Sequence, residues 1–165
     1  MSRHPASHAR RKIKSWAALA RIVRQADGRR RTVVFTNGCF DLLHAGHVKL
    51  LERAKRLGDV LIVGVNSDRS VRTLKGPGRP LVAQRDRALL LAALHSVDYV
   101  TVFDQATPLE LLKRLRPHVL VKGADWGASE IIGRELIQAR GGRVVRLPLL
   151  KGHSTSRLIE RIRGR

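Results

Sequence analysis

Short apolar runs alternate with amphipathic runs along most of this chain. The apolar runs are rich in β-branched residues and carry apolar side chains at consecutive positions. That pattern is typical of parallel strands buried on both faces, whereas a half-exposed strand would alternate apolar and polar residues. The predicted strands cover 32–37, 59–66, 98–103, 118–122 and 143–147.

Between these runs, apolar residues recur at helical spacing and the boundaries carry helix signals. Pro108 suits the first turn of a helix, and Gly141-Gly142 suits a helix end. Before the first strand, Ser15 is a suitable N-cap for a helix through Ala26. The other predicted helices cover 47–57, 84–96, 108–115, 129–140 and 156–163.

This alternation of strands and helices predicts the fold class. Consecutive parallel strands joined by right-handed helical crossovers form an α/β protein with an open, doubly wound parallel sheet. An additional helix precedes the sheet at the N-terminus. Sheets of this kind bind ligands beyond the carboxyl ends of their strands, where the strand order reverses.

The first predicted strand leads into the stretch that carries the clearest chemistry. It stops at Asn37-Gly38, a turn signal, and His44 and His47 follow in an H-x-G-H arrangement at the start of a helix. Histidines three residues apart lie on one side of a helix, and the N-terminal end of a helix favours anions. Gly46 leaves room for a ligand to approach. A strand, a glycine turn and a histidine-bearing helix start together predict a phosphate site.

The histidine pair also has two simpler interpretations. H-x-x-H can supply half of a metal site, but the single Cys39 and the scattered carboxylates offer no obvious further ligands. We therefore expect no protein-bound metal. The histidines could also be structural only, and the strand and helix around them are what favour a ligand site.

Polar residues also follow the other predicted strands, at what should be the same edge of the sheet. A basic loop rich in Gly and Pro, 75–80, lies before the third helix and is expected to be a mobile flap. Arg87 follows one turn into that helix. The polar segments at strand ends are 66–68, 122–126 and 152–156, the last with hydroxyls that can cap the final helix.

Composition limits the class of protein. The length of 165 residues suits one domain with a real core, which is mostly aliphatic because aromatic residues make up only 4%. A single cysteine excludes a disulfide framework and fits a reducing compartment. No stretch approaches a membrane span, and the basic N-terminus lacks the apolar region of a secretory signal. We expect a cytoplasmic protein without a membrane partner.

The net charge of +20 is unevenly distributed. Residues 1–31 hold ten Lys and Arg and one acid, so +9 of the charge lies there. We expect 1–11 to form a disordered basic arm and 12–165 to form one domain. Positive charge attracts anions, including nucleic acid non-specifically, but no nucleic-acid motif or aromatic interleaving supports a specific nucleic-acid partner. A nucleic-acid-binding protein on an enzyme scaffold is the alternative from another functional class.

Taken together, the segments match a known family in order and spacing. They are 36–47, 65–68, 75–80, 87, 97–99, 115–117, 121–123, 141–142 and 154–157. On these residues the chain resembles the Rossmann-like nucleotidyltransferases with the HIGH-type motif, over 32–163. Within them it looks most like the adenylyltransferase of ADP-heptose synthesis, which occurs alone or fused to a sugar kinase. Because no kinase segment is present, we expect the stand-alone form.

The resemblance implies a reaction and its ligands. ATP and D-glycero-β-D-manno-heptose 1-phosphate would give ADP-heptose and pyrophosphate, for lipopolysaccharide core synthesis. Mg²⁺ would accompany ATP, held largely by phosphates and water. The partners would be these small molecules, and related proteins often pair as homodimers.

The resemblance also implies roles for individual residues. The catalytic set would be His44, His47, Lys75 and Arg87, of which Lys75 and Arg87 would neutralise phosphates. The nucleotide would contact Thr36, Asn37, Gly38, Cys39, Phe40, Lys122, Gly123, Asp125, Trp126, Ser154 and Thr155. The sugar phosphate would contact Asp41 and Arg79.

Some positions depart from the pattern of the heptose group. Ala124 stands where Gly is common, and His153 stands where a small or apolar residue is usual. The alternative within the superfamily is glycerol-3-phosphate cytidylyltransferase, which has a similar histidine run. That family carries Arg-Thr-Glu-Gly before its Ser-Thr, whereas this chain has 149–152 as Leu-Leu-Lys-Gly, without the arginine. The comparison favours the adenylyltransferase.

Overall fold

The structure is a computed structural model that describes residues 8–124, 127, 130–150 and 152–164. Within these ranges the strands are β1 (Val33–Gly38), β2 (Val60–Asn66), β3 (Tyr99–Phe103), β4 (Val119–Gly123) and β5 (Arg143–Leu147). The helices are α1 (His8–Lys12), α2 (Trp16–Gly28), α3 (Ala45–Lys55), α4 (Asp68–Lys75), α5 (Gln84–Ala93), α6 (Leu109–Leu115), α7 (Arg134–Gln138) and α8 (Thr155–Ile162).

The strands form one parallel sheet in the order β3-β2-β1-β4-β5. The chain therefore builds outward from β1 to β3 in one direction, then crosses back to place β4 on the other side of β1. This reversal between β1 and β4 is the switch point at which doubly wound sheets bind ligands. The α/β fold predicted from the sequence is confirmed.

Apolar side chains cover both faces of the sheet, which explains the near-continuous apolar runs of the strands. Val33 and Phe35 of β1 face a core layer that includes residues of α2, α6 and α7. Val34, between them, faces the opposite layer, which includes residues of α3 and α5. Because neighbouring strand residues point to opposite faces, a strand covered on both sides needs apolar residues at every position.

Residues 8–11, the described part of the arm predicted to be disordered over 1–11, are helical. His8–Lys12 form α1, and Lys12 donates from Nζ to the backbone carbonyls of Leu94 and Val97 at 3.1 and 2.7 Å. Ile13 pairs with Val100 at the edge of the sheet. These partners lie more than 80 residues away in sequence, so local composition could not reveal them. The N-terminal helix capped by Ser15 is confirmed, since its hydroxyl accepts from Ala18 N.

Two other helices differ from the sequence-based prediction. The helix α4 was not predicted, although Ser67 caps it and Asp68 occupies its first turn. The predicted helix over 129–140 is described only as the shorter α7, which follows Gly133 in a left-handed conformation with φ of 90°. No helix in the described ranges has the length and apolar character needed to cross a lipid bilayer.

Candidate active site

A cleft of about 500 Å³ opens where β1 and β4 end, at the reversal of strand order. The ends of the two strands are joined by side chains, since Lys122 donates from Nζ to Oδ1 of Asn37 at 2.5 Å. Lys122 is buried, and both residues line the cleft. The strand ends thus place a cation and an amide at the floor of the cleft.

The histidine pair lies at one wall of this cleft, at the start of α3. His44 is the N-cap of the helix, and its Nδ1 accepts a hydrogen bond from Gly46 N at 3.1 Å. The ring of His47 stacks on that of His44, with centroids 3.8 Å apart and an angle of 21° between the planes. The ring of Phe40 meets His47 edge-on at 5.1 Å. One histidine is therefore fixed by the backbone and the other by two rings.

Both imidazoles are held in the neutral form. Burial, and then the neighbouring His44, lower the pKa of His47 from 6.5 to about 4. Burial, and then His153, lower the pKa of His44. Since Nδ1 of His44 accepts a hydrogen bond, the neutral ring carries its proton on Nε2 and can donate from there. A polyphosphate bound beside the two imidazoles would favour their protonation, because an adjacent anion stabilises the imidazolium form.

The lowered pKa of His47 predicts a pH dependence of stability. Because the folded-state value lies below that of the unfolded chain, the unfolded chain takes up the proton first as the pH falls. The contribution of neutral His47 to the free energy of unfolding is therefore complete above about pH 6.5 and is lost as the pH falls towards 4. Compared with His47→Gln, the wild type should lose roughly 2 to 3 kcal/mol more unfolding free energy over that interval in urea titrations. If the free energies of unfolding of the two proteins fall by the same amount over this pH interval, the prediction is wrong.

Gly46 makes this arrangement of the histidines possible. A Cβ at this position would lie 2.9 Å from Cε1 and Nδ1 of the His44 ring and 3.1 Å from Cβ of His153. A side chain at Gly46 would therefore displace the ring that caps α3. The requirement is for close approach, since a positive φ is not involved here.

We expect Gly46→Ala to reduce kcat/KM about tenfold or more, because the His44 ring must move away from its hydrogen bond to the backbone. Gly28→Ala is the matched control, since nothing lies within 4 Å of a Cβ there and Gly28 ends α2, outside the described lining of the cleft. Steady-state pyrophosphate release by the two variants is the measurement. Equal rates for both variants would show that the position of His44 does not matter.

Arg87 lies behind the cleft and is only 1% exposed. Its guanidinium donates to the carbonyl oxygens of Cys39 and Val82 and, at 2.7 Å, to Oδ1 of Asp68. It is not among the described residues that line the cleft. The direct phosphate contact expected for Arg87 therefore finds no support in this geometry, which instead supports positioning of the 39–40 backbone.

The loop between α4 and α5 is fastened to the cleft by Asp41. This carboxylate is 2% exposed and accepts from Arg79 Nε at 2.5 Å, Leu81 N at 2.7 Å and Val82 N at 2.9 Å. The flap expected over 75–80 is thus anchored at its C-terminal end, while Lys75 is exposed at its start and lines the cleft. Asp41 and Arg79 also line the cleft. Their contact with a sugar phosphate, which the resemblance implies, stays a prediction.

The start of α8 lies beside the histidine pair, since the centroid of the His153 ring is 6.4 Å from that of His44. The Ser154 hydroxyl caps the helix by accepting from Arg157 N at 3.2 Å, as the sequence predicted. The predicted site residues that line the cleft are Asn37, Gly38, Cys39, Phe40, Asp41, His44, His47, Lys75, Arg79, Lys122, Ser154 and Thr155. Thr36 and Gly123 belong to the strands beneath and are not among the described lining residues. Asp125 and Trp126 lie outside the described residues.

Sequence reasoning missed the apolar part of the cleft. The additional lining residues are mostly aliphatic: Leu50, Leu74, Ala106, Pro108, Ile131, Ile132, Leu149 and Leu150. Several are substantially exposed, including Leu74, Ile132 and Leu149. Exposed aliphatic residues that share a cleft with polar groups are typical of a small-molecule site. They come from α3, α4 and separate loops, so no sequence motif identifies them.

The part of the site that the structure describes offers no ready cage for a metal ion. Within the described ranges, no three His, Cys, Asp or Glu side chains are grouped so that they could hold one. Two nearby carboxylates, Asp41 and Asp68, already accept from arginine and backbone donors. The side chains available to a ligand are therefore imidazoles, cations and hydroxyls, a set suited to phosphate.

This geometry agrees with a family match. The family model described as cytidylyltransferase-like matches residues 35–161, from β1 through most of α8. The chain belongs to the cytidylyltransferase-like family. It is therefore a nucleotidyltransferase domain, whose substrate is a nucleoside triphosphate. The cytidylyltransferase-like domain contains both histidines and the Ser154-Thr155 segment.

Two relatives of this cytidylyltransferase-like chain are similar to it over most of its length. It is 53% identical over 154 residues to the bifunctional protein HldE of Syntrophotalea carbinolica, covering 93% of this chain and 31% of that protein. It is 51% identical to the bifunctional protein HldE of Citrifermentans bemidjiense, covering 96% of this chain and 33% of that protein. The chain thus spans about a third of the length of these relatives.

A solved structure gives the same fold. It is the lipopolysaccharide core biosynthesis protein from Thermoplasma volcanium, which is 27% identical with a TM-score of 0.61. The match covers 74% of this chain and 99% of that protein. The cytidylyltransferase-like fold is therefore shared with a protein described as acting in core lipopolysaccharide synthesis.

Proposed function

We propose that this chain transfers AMP from ATP to D-glycero-β-D-manno-heptose 1-phosphate and releases pyrophosphate, giving ADP-heptose. A phosphate oxygen of the sugar phosphate attacks the α-phosphorus of ATP. The bond from that phosphorus to the α/β-bridging oxygen breaks, and its electron pair leaves with pyrophosphate. Two findings support the substrate class: close similarity to HldE proteins and to a lipopolysaccharide core biosynthesis protein.

The observation that carries the proposal is the stacked histidine pair at the start of α3, in the cleft at the switch point. The attacking phosphate is already ionised, so the reaction needs no strong general base. Positioning and stabilisation of the developing negative charge then lower the barrier. Neutral imidazoles that donate N–H groups, and that become cationic beside the triphosphate, can supply that stabilisation.

The other polar groups suit the two ends of the reacting complex. Ser154 and Thr155, at the first turn of α8, would meet the β- and γ-phosphates, because N-terminal N–H groups of a helix favour anions. Lys75 would neutralise phosphate from the loop side. Asp41 and Arg79, which are paired with each other, would face the sugar phosphate. The aliphatic residues that line the cleft from α3, α4 and the loops would hold the base.

Mg²⁺ would arrive with the triphosphate, coordinated by phosphate oxygens and water. The homodimer, the cytoplasmic location and the lack of a specific nucleic-acid partner stay predictions.

The test is a substrate matrix. Purified protein with Mg²⁺ is given ATP or CTP, each with the β-anomer or α-anomer of heptose 1-phosphate or with glycerol 3-phosphate. Pyrophosphate release and product mass are measured. We expect turnover with ATP and the β-anomer to exceed the other combinations at least about tenfold, the discrimination that one misplaced polar contact produces. Preferential use of CTP with glycerol 3-phosphate would overturn the assignment in favour of a cytidylyltransferase.

A further inference from the structure

The edge of the sheet opposite the cleft carries a cluster of arginines. In a parallel sheet all strands begin at one edge, so the segments that precede β1, β2, β4 and β5 meet there. Backbone hydrogen bonds join these segments. Asp59 N donates to Thr32 O at 2.8 Å, and Arg143 N donates to His118 O at 2.9 Å. This surface is the basal rim, and its arginines are those at 29–31, Arg56, Arg116, Arg140 and Arg143.

The charge of the basal rim is strongly positive. All seven arginines are exposed, and within the described ranges none of them forms an ion pair. The carboxylates on the same segments are Asp27, Asp59 and Asp98, and each has another partner. Asp27 lies 3.2 Å from His118, Asp59 accepts from a backbone N–H at 2.7 Å, and Asp98 pairs with Lys55 at 2.6 Å. With Lys55 included, cations outnumber carboxylates here by eight to three.

Stabilisation of helix ends explains only part of this cluster. Cations near the C-terminal end of a helix interact favourably with its dipole, which accounts for Arg56 and Arg140 after α3 and α7. Arg30 and Arg116 instead have φ of 55°, in the left-handed region where glycine is favoured at a helix end. Arg143 begins a strand. The helices alone therefore give no reason for a guanidinium group at these last three positions.

The shape of the basal rim favours one kind of anionic partner. Its four strand starts span about 15 Å at the usual strand spacing, and helix ends on both faces of the sheet widen it. No exposed large hydrophobic side chain lies on it within the described ranges. The described part of the rim thus lacks the aromatic platforms that stack on single-stranded bases and a projecting element that could enter a groove of duplex DNA. A broad polar face of guanidinium groups instead complements a surface of closely spaced phosphates.

We propose that the basal rim docks on the anionic phospholipid surface of a membrane. The contact is peripheral and electrostatic, with the arginines beside the phosphates of the lipid headgroups. The cleft opens at the opposite edge of the sheet, so docking leaves it accessible to small molecules. The expectation of no membrane partner was based on the lack of a spanning segment, which a surface contact does not require. The inference does not depend on which sugar phosphate the cleft accepts.

The test is co-sedimentation of the full chain with vesicles of phosphatidylcholine, either alone or with roughly one third phosphatidylglycerol, at about 0.1 M salt. The variant combines Arg29→Gln, Arg56→Gln and Arg140→Gln, whose side chains form no hydrogen bond or ion pair within the described ranges. We expect the wild type to bind only the anionic vesicles. The variant should bind them about 100-fold more weakly, because each arginine near such a surface contributes roughly a factor of five.

The matched control combines Arg21→Gln, Arg72→Gln and Arg85→Gln, which removes the same charge from exposed positions on α2, α4 and α5, away from the rim. It should bind the anionic vesicles within about threefold of the wild type, because screening weakens charges that lie far from the lipid. Failure of the wild type to bind anionic vesicles, or an equal loss in both triple variants, would overturn the proposal. Tighter binding of the wild type to duplex DNA, lost in the rim variant, would overturn it in favour of a nucleic-acid surface.

A second measurement needs no variant. If the rim holds the lipid, vesicle-bound wild type should bind a fluorescent ATP analogue as tightly as the protein without vesicles, because the cleft faces away from the membrane. If the vesicles instead displace the ATP analogue, the cationic cleft is the lipid-binding surface and the proposal is wrong.

Discussion

His47→Ala and His44→Ala should each reduce turnover about 100-fold or more, the scale of losing one donor that stabilises transition-state charge. The reason is geometric. The two rings stack within 3.8 Å, and His44 is oriented by the Gly46 amide, so each ring helps to hold the other in place. Loss of either one removes both a donor and the support of its neighbour.

These variants should remain folded. His44→Ala loses a helix cap, which costs about 1 kcal/mol, and thermal unfolding should show only that change. Lys49→Ala is the control, because Lys49 is exposed on the same helix and pairs with Glu52 on its surface. Pyrophosphate release at saturating ATP is the measurement. Rates near those of the wild type for both histidine variants would remove the pair from the mechanism.

Arg87→Ala should reduce stability as well as activity. The substitution leaves the Cys39 carbonyl without its guanidinium donor and Asp68 without its ion-pair partner. Breaking a buried ion pair by removing one partner costs about 3 to 5 kcal/mol, and we expect the lower end because Asp68 is partly exposed. Activity should fall with it, since the backbone at Cys39 forms part of the cleft.

Arg87→Lys should not restore stability, because an ammonium group cannot reproduce three differently directed guanidinium contacts. Arg85→Ala is the matched control, since Arg85 is exposed on the same helix. Urea unfolding and turnover are measured together. An Arg87→Ala protein of normal stability that has lost activity would contradict the positioning role and would favour the direct phosphate contact expected from the sequence.

The sheet could be predicted from the sequence because its strands are buried on both faces. Runs such as 60–66 are apolar or small at almost every position, and such runs have few alternatives in a chain with amphipathic segments between them. The caps at Ser15 and Ser154 were likewise local signals, because a hydroxyl that accepts from a residue three positions later needs no tertiary contact. The location of the cleft then followed from the strand order.

Three features that the sequence did not reveal are the helix α4, the burial of Arg87 and the helix α1. The helix α4 buries little besides Ser70 and Val71, so it shows almost no apolar periodicity. Burial of Arg87 could not be anticipated, because arginine is usually exposed and its partners come from the segment after β1, from α4 and from the loop before α5. The short helix α1 is polar, and its stabilising contacts through Lys12 lie at the far end of α5.

The triphosphate should occupy one specific position in the cleft. A crystal structure of the chain with Mg²⁺ and an ATP analogue that resists transfer would test this most directly. We expect the α/β-bridging region within hydrogen-bond distance of Nε2 of His44 and of the His47 ring, and the terminal phosphates at Ser154 and Thr155. A triphosphate bound away from β1 and β4, or with its tail directed to the loop of Lys75 and away from α8, would contradict it.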